Sequence, residues 1–465
     1  MLVFLNSSAL VIALPDVSRD LGATGTQSSW VLLAYMLSTT TLILVFGRIA
    51  DIVGRRRLYI AGIVVFLLAS LACGLAPNAG FLIAARLVQG VGAASIVTNT
   101  TALLTDAFPE RTLSVGLGLN ATVAAVGQVV GPLAGGLVTE TLGWRWIFLA
   151  GIPISLLSLV WSLRVVPRRT TPRSSERLDL LGALLSISAV GAMVAAVSIG
   201  GSAGWTSPQL IAVAGGAVLL AACFVWSQRS ATHPLIDPEI FRDRATITLY
   251  ASAALCALSS YAMILLASLS FQAVDGLSAL DAAVRILPAP IGTTLAAVAA
   301  GVLARRFGAR SLATIGMLLI AAGAGVLAFS LSAPGGGWIT SAALGAVGAG
   351  IGTFMTPSTS ALMSRVPERR RGIANAIRAA LQNAGYLFST AIALAIATGG
   401  LTLAQQAAAY DGSLSDLAGA DVQTFVAGIR TAVLTFAGLG LLGALVTAFG
   451  PRGGIAPVAA VPSRS

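Results

Sequence analysis

Lysine is missing from this chain: all 28 basic residues are arginine. Charge of either sign is scarce, at 10% of 465 residues, where a soluble domain carries about a quarter. Against that stand 56% hydrophobic residues and a mean hydropathy of +0.90. So little charge cannot cover a water-facing surface, which excludes a soluble enzyme, a disordered chain and a secreted disulfide scaffold. The three cysteines, Cys73, Cys223 and Cys256, fall singly in apolar runs. Without a Cys-x-x-Cys spacing they offer neither a disulfide framework nor a metal site. The one histidine, His233, lies among prolines in a loop and is assigned no role. Walker A, His-Glu-x-x-His, Gly-x-Ser-x-Gly and dinucleotide fingerprints are absent. ATP-driven transport and hydrolysis therefore lack a site, and no cofactor or metal is expected.

What remains is an all-α polytopic membrane protein. A bilayer-crossing helix needs about 20 mostly apolar residues, because its backbone must satisfy its own hydrogen bonds. Fourteen such runs are expected, at about 1–16, 28–48, 58–76, 80–104, 113–138, 144–164, 179–200, 209–228, 246–272, 281–303, 311–332, 338–363, 372–398 and 428–449. The first is short, ending against Pro15 and Asp16. No basic stretch precedes it, so the expectation is a start lacking a few residues rather than a cleaved signal peptide. The formal charge of +11 does not indicate nucleic acid, since the arginines cluster between apolar runs. With both termini cytoplasmic, 22 of the 28 arginines fall on the inner side, as the positive-inside rule requires.

The chain also repeats itself. At an offset of 254, Gly47, Gly54 and Arg56 meet Gly301, Gly308 and Arg310. At 258, Gly90, Gly92, Thr98 and Pro109-Glu110-Arg111 meet Gly348, Gly350, Thr356 and Pro367-Glu368-Arg369, and Gly127 meets Gly385. The expected organisation is a six-helix bundle over 1–164, a linker with two inserted helices over 165–245, a second six-helix bundle over 246–450, and a cytoplasmic tail, 451–465. Parallel repeats of this kind place a substrate site between the halves, near the midplane.

Three motifs carry a family resemblance. Gly47-x-x-Ala50-Asp51-x-x-Gly54-Arg55-Arg56-Arg57 joins two helices in a tight cytoplasmic turn. Arg86-x-x-Gln89-Gly90-x-Gly92-Ala93 lies in the fourth helix, and Gly127-x-x-x-Gly131-Pro132-x-x-Gly135-Gly136 in the fifth; Trp144-Arg145-Trp146 follows. Together they resemble the major facilitator superfamily, and the helix count points to its fourteen-helix drug:proton antiporter branch. The resemblance implies efflux of a small organic or amphipathic compound in exchange for protons, across the cell or inner membrane, by a single chain. The alternatives are an uncoupled facilitator or uptake carrier of the same fold and a non-transporting membrane sensor; a membrane enzyme is more remote.

An ionisable group deep in a span is costly and marks a pathway, which singles out Arg86, with Gln89 on its face. Asp51 and Asp106 are expected to form gating contacts, Asp106 with Arg55 or Arg56. The glycines from 127 to 136 form one small-residue stripe, kinked at Pro132. Asn6 stands nine residues before Pro15, where the family pattern has an acid, and Asn does not change charge near neutral pH. Asp281 is a fallback proton site, four residues from Arg285 and within pairing reach. Asn375, Arg378, Gln382 and Tyr386 line one helix face, either as a substrate-cavity wall or as an interhelical hydrogen-bond seam; in the cavity reading Tyr35, Ser38, Thr39, Asn120 and Gln128 complete an uncharged polar wall. Arg378, near a basic loop, has the alternative of snorkelling to the surface. The external segment 400–427, with a short helix at Gln405–Tyr410, is expected to be solvated.

Overall fold

The computed structural model describes residues 2–107, 110–166, 178–231, 235, 243–331, 337–366, 371–414 and 419–450. His233 and the tail 451–465 lie outside them. The described elements are helices: α1 (Leu2–Asp20), α2 (Gly25–Val53), α3 (Arg55–Gly74), α4 (Ala79–Ala107), α5 (Glu110–Leu142), α6 (Arg145–Leu149) and α7 (Gly151–Val165). There follow α8 (Leu180–Ala203), α9 (Pro208–Ser230), α10 (Arg244–Ser260), α11 (Ala262–Ala273), α12 (Ala279–Ile286) and α13 (Pro288–Phe307). The last are α14 (Ala309–Ser330), α15 (Gly337–Arg365), α16 (Arg371–Thr398), α17 (Leu403–Asp411) and α18 (Gly419–Ala448).

Twelve segments among the described residues are long and apolar enough to cross a membrane. Three of them join shorter helices: Arg145–Val165, Arg244–Ala273 and Ala279–Ala304. The expected fourteen also count α1 and α5, which are not among the twelve. Pro15 does not end α1; the helix continues to Asp20. Outward faces carry large apolar side chains such as Trp161, Trp226 and Val302, each about two-thirds exposed or more. A water-soluble monomer does not display such a belt, whereas a bilayer covers it.

The repeat read from the sequence reappears as matched contacts. Gly54 and Gly308 both take positive φ, 103° and 79°, at the short turns after α2 and α13, where a side chain would be strained. A Cβ on Gly47 would stand 3.8 Å from the Thr98 methyl, and one on Gly301 3.7 Å from that of Thr356. Thr98 and Thr356 each donate over 3.2 Å to a carbonyl one turn before those glycines, Ile43 and Ala297. Gly92 packs on the backbone of α3 at Phe66, as Gly350 packs on α14 at Gly316. Close glycine-mediated crossings thus bind α4 to α2 and α3, and α15 to α13 and α14. The hairpin of α8 and α9 leans on both halves: Val194 packs with Leu33 of α2 and with Leu387 and Ala391 of α16.

The segment expected to be solvated is built in. α17 starts from a capping box at Thr402 and Gln405, but Gln406 and Tyr410 are buried. Gln406 donates to the carbonyls of Thr398 and Leu401, each at 3.2 Å, and its Cβ lies where a side chain on Gly25 would go. Arg19 of α1 donates to the Asp411 carbonyl. A helix from between α16 and α18 thereby rests on α1 and α2 of the first half. Its buried carbonyl contacts give Gln406 a reason to leave water.

Candidate functional site

Arg86 is the largest fully buried side chain among the described residues, 1% exposed. Carrying such a charge at the centre of a span costs about 3 kcal/mol on insertion scales, so its partners matter. Nε donates to the Val31 carbonyl of α2 at 3.2 Å. Nη1 donates to Asn6 Oδ1 of α1 at 2.8 Å and to Gln89 Oε1 at 2.6 Å. Gln89 is held in turn by donating to Ser70 Oγ of α3 over 2.8 Å. The guanidinium carbon sits 4.2 Å from the Tyr35 ring centroid and 5.8 Å from that of Phe148, a favourable placement for a desolvated cation. Four helices of the first half therefore converge on one permanent charge, and every side chain that binds it is neutral. Tyr35 Oη is buried and closes no hydrogen bond of good geometry, with the Ser7 and Thr39 hydroxyls beside it.

A second polar line runs along α16. Arg378 Nη1 donates to Gln382 Oε1 at 3.2 Å, and its Nε and Nη2 share Asn375 Oδ1 at 3.3 Å. Gln382 Nε2 donates to Tyr386 Oη at 2.6 Å. The Tyr386 ring stacks on Tyr261, centroids 4.3 Å apart and planes 27° from parallel. Arg378 does not snorkel: its hydrogen bonds stay on its own helix. Tyr261 falls at the break between α10 and α11, where the Ala262 N–H donates to the Ser389 hydroxyl oxygen at 3.1 Å. Serines at 259 and 260 bond back to Cys256, a pattern that bends helices. Tyr261 lies within electrostatic reach of both Tyr35 and Arg86.

The glycine stripe divides between two neighbours. A Cβ at Gly131 would collide with Ser8, and one at Gly135 would stand 2.7 Å from Ala9 Cα, both on α1. Gly136 instead meets α12 of the second half, 2.9 Å from the Ala279 carbonyl and 3.1 Å from the Ala283 Cβ. Adjacent residues lie about 100° apart on a helix, so one helix can serve both contacts. Gly127 and Pro132 are buried on α5. Asn120 is half-buried and Gln128 exposed, and neither joins the polar clusters among the described contacts. Ser38 packs at Gly90, and Thr39 donates to the carbonyls of Tyr35 and Gly90.

Of the expected ion pairs, only Asp281–Arg285 falls on described side chains, and it is not formed among their contacts. Asp281 is an exposed first-turn residue of α12, capped by Ser278. Arg285, its expected partner, lies 5.5 Å from the Phe271 ring and 5.7 Å from that of Trp338. Arg56 donates to the carbonyls of Val166 and Leu163 at 2.8 and 2.9 Å. It thus closes the negative end of α7; Arg55 also has a partner. The side chains of Asp51 and Asp106 lie outside the described ones. At the opposite end, Arg145 and Trp144 Nε1 both bond Asp20, the latter at 3.0 Å, tying α6 to α1. Those bonds hold the Asp20 carboxyl below its ordinary range, the Arg145 contact foremost.

Sequence reasoning did not anticipate Tyr261, Ser70 or the Val31 carbonyl. Their signal is spatial, since each comes from a different helix. Only the break at Ser259-Ser260 leaves a trace in the sequence, and a weak one.

Repeat-related glycine crossings, a buried arginine and an apolar exterior define a polytopic membrane protein of the transporter type. Residues 1–390 match the Major Facilitator Superfamily, and the chain belongs to that family. It is 34% identical over 392 residues to the multidrug resistance protein Stp of Mycobacterium tuberculosis, spanning 84% of this chain and 72% of that one. The puromycin resistance protein of Streptomyces alboniger is 33% identical over 404 residues, 86% of this chain and 80% of its own length. The methylenomycin A resistance protein of Streptomyces coelicolor is 30% identical over 388 residues, 83% and 81%. Among solved structures, a D-xylose-proton symporter superposes with a TM-score of 0.63 at 16% identity, covering 97% of this chain and 95% of that one. At that identity the likeness establishes the fold.

Proposed function

We propose that the chain exports small organic or amphipathic compounds across the plasma membrane by alternating access, driven by the proton gradient. The observation that carries this reading is the Arg86 cluster, a buried charge on one repeat within electrostatic reach of Tyr261 on the other. Rocking of two repeat-related bundles about such a site opens it to one side at a time. Efflux is favoured by the relatives, three of which are named for drug or antibiotic resistance. In this reading α1 and α5 complete fourteen crossings, with bundles over 1–164 and 246–450 and a two-helix linker between. The arginine-rich turns after α2 and α13 face the cytoplasm with both termini, so the ends joined by Asp20, α12 and α17 face outward. One chain is the working unit.

Asn6 favours a second reading, an uncoupled carrier, because the side chain it offers Arg86 cannot carry a proton near neutral pH. Dye accumulation in cells with and without the protein separates the two. Proton-coupled export lowers accumulation and a protonophore erases the difference; a difference that survives the protonophore contradicts coupling.

A further inference from the structure

The guanidinium groups of Arg86 and Arg378 have, among the described side chains, no carboxylate beside them. The titratable groups within reach of Arg86 are Cys73, Tyr35 and Tyr261, and those near Arg378 are Tyr386 and Tyr250. Thiols and phenols are neutral at pH 7 at their ordinary values, so no described side chain compensates either positive charge. The bonding at Arg86 is also incomplete: Nε and Nη1 are used, while Nη2 has no acceptor among the described contacts. Beside it the Tyr35 hydroxyl, on a residue 3% exposed, closes no hydrogen bond of good geometry, although the Ser7 and Thr39 hydroxyls stand next to it. A buried charge is stable when paired and fully hydrogen-bonded. A negative group would supply both the missing charge and the missing acceptors, whereas a second cation would be repelled in a low dielectric. The stacked rings of Tyr261 and Tyr386 offer an apolar aromatic surface a short way off.

We propose that the site between the halves takes amphipathic organic anions. Their carboxylate is received by Arg86 and the Tyr35 hydroxyl, and their aromatic body lies against the Tyr261–Tyr386 pair. This rests on the transporter reading and narrows its substrate class from organic compounds in general to those carrying negative charge.

The test uses two probes of matched shape and opposite charge, radiolabelled 2-naphthoate and 2-naphthylmethylammonium. Equilibrium binding is measured on the purified full chain in nanodiscs, and dye export is followed separately in cells. The wild-type chain is expected to bind naphthoate about tenfold tighter or more, the effect of one charge-assisted hydrogen bond in a buried site. Asn6→Asp preserves shape and sets a carboxylate against Arg86 Nη1, so it should abolish the naphthoate preference without weakening the ammonium probe. Tyr35→Phe should weaken naphthoate by about fivefold and leave the ammonium probe unchanged. Equal or tighter binding of the ammonium probe by the wild-type chain overturns the proposal. So does naphthoate affinity that neither substitution moves, or no binding of either probe. Export of dye alongside any of these results leaves the transporter reading standing. Selective naphthoate binding with no flux of any compound contradicts that reading alone.

Discussion

A guanidinium keeps its proton at any physiological pH, so Arg86 carries a fixed charge and acts by geometry. Its planar fork reaches Val31, Asn6 and Gln89 on three sides at once. An ammonium on a flexible stem keeps the charge but loses that fork. Arg86→Lys is therefore expected to insert at wild-type levels yet slow transport at least tenfold, about the loss of one buried charged hydrogen bond; vesicle flux normalised to protein content measures it. Asp20 behaves differently. Its carboxyl is depressed by Arg145 and Trp144, so the stability it contributes is present above the unfolded carboxylate value and lost as pH falls through the lower folded one. The difference in melting temperature between the wild type and Asp20→Asn should hold constant from pH 8 to 5 and shrink only below about pH 4. A difference that fades between pH 7 and 5 would instead mark Asp20 as a proton site. Arg86 and Gln89 could be marked from the sequence, since a charge inside an apolar run stands out. Their partners could not, because Asn6, Val31 and Ser70 converge only once α1, α2 and α3 have packed.

At the scale of elements, α5 carries two contacts at once. Gly131 and Gly135 fit it to α1, and Gly136 fits it to α12 of the other half. Added volume should then act by position. Gly135→Val meets backbone of the same bundle and is expected to lower folded yield. Gly136→Val should spare folding and wedge the seam between halves, raising the labelling rate of Ala279→Cys by a membrane-impermeant maleimide in intact cells. Equal labelling with and without the valine would contradict this. The four-residue spacing shows that these glycines pack closely, but not that their neighbours lie in different halves. The α16 stripe was more legible: Asn375, Arg378, Gln382 and Tyr386 bond to one another along one helix, at spacings helical geometry fixes in advance. For α17 the local signals misled. Thr402 and Gln405 cap a helix equally well in water or against protein, and only the tertiary fit of Gln406 at Gly25 decides between them.

For the whole molecule, the spans and the repeat were the most legible features, because apolar length and a fixed offset survive in any context. How the halves meet was not, since no residue pattern encodes which end of a bundle is shut. Here the α1–α2 end is drawn together. Gln272 of α11 donates to the Ile12 carbonyl at 3.1 Å, α17 lies across α1 and α2, and Gly136 touches α12. Alternating access requires those contacts to part in every cycle. In a chain whose native cysteines are replaced by serine, Gly136→Cys with Ala283→Cys places two thiols across that junction, where an added Cβ stands 3.1 Å from the Ala283 Cβ, so a shift of a few tenths of an ångström apart brings the pair to disulfide spacing. Flux into proteoliposomes should stop when the pair is oxidised and return when it is reduced. Undiminished flux through the cross-linked protein would contradict the rocking of the two halves.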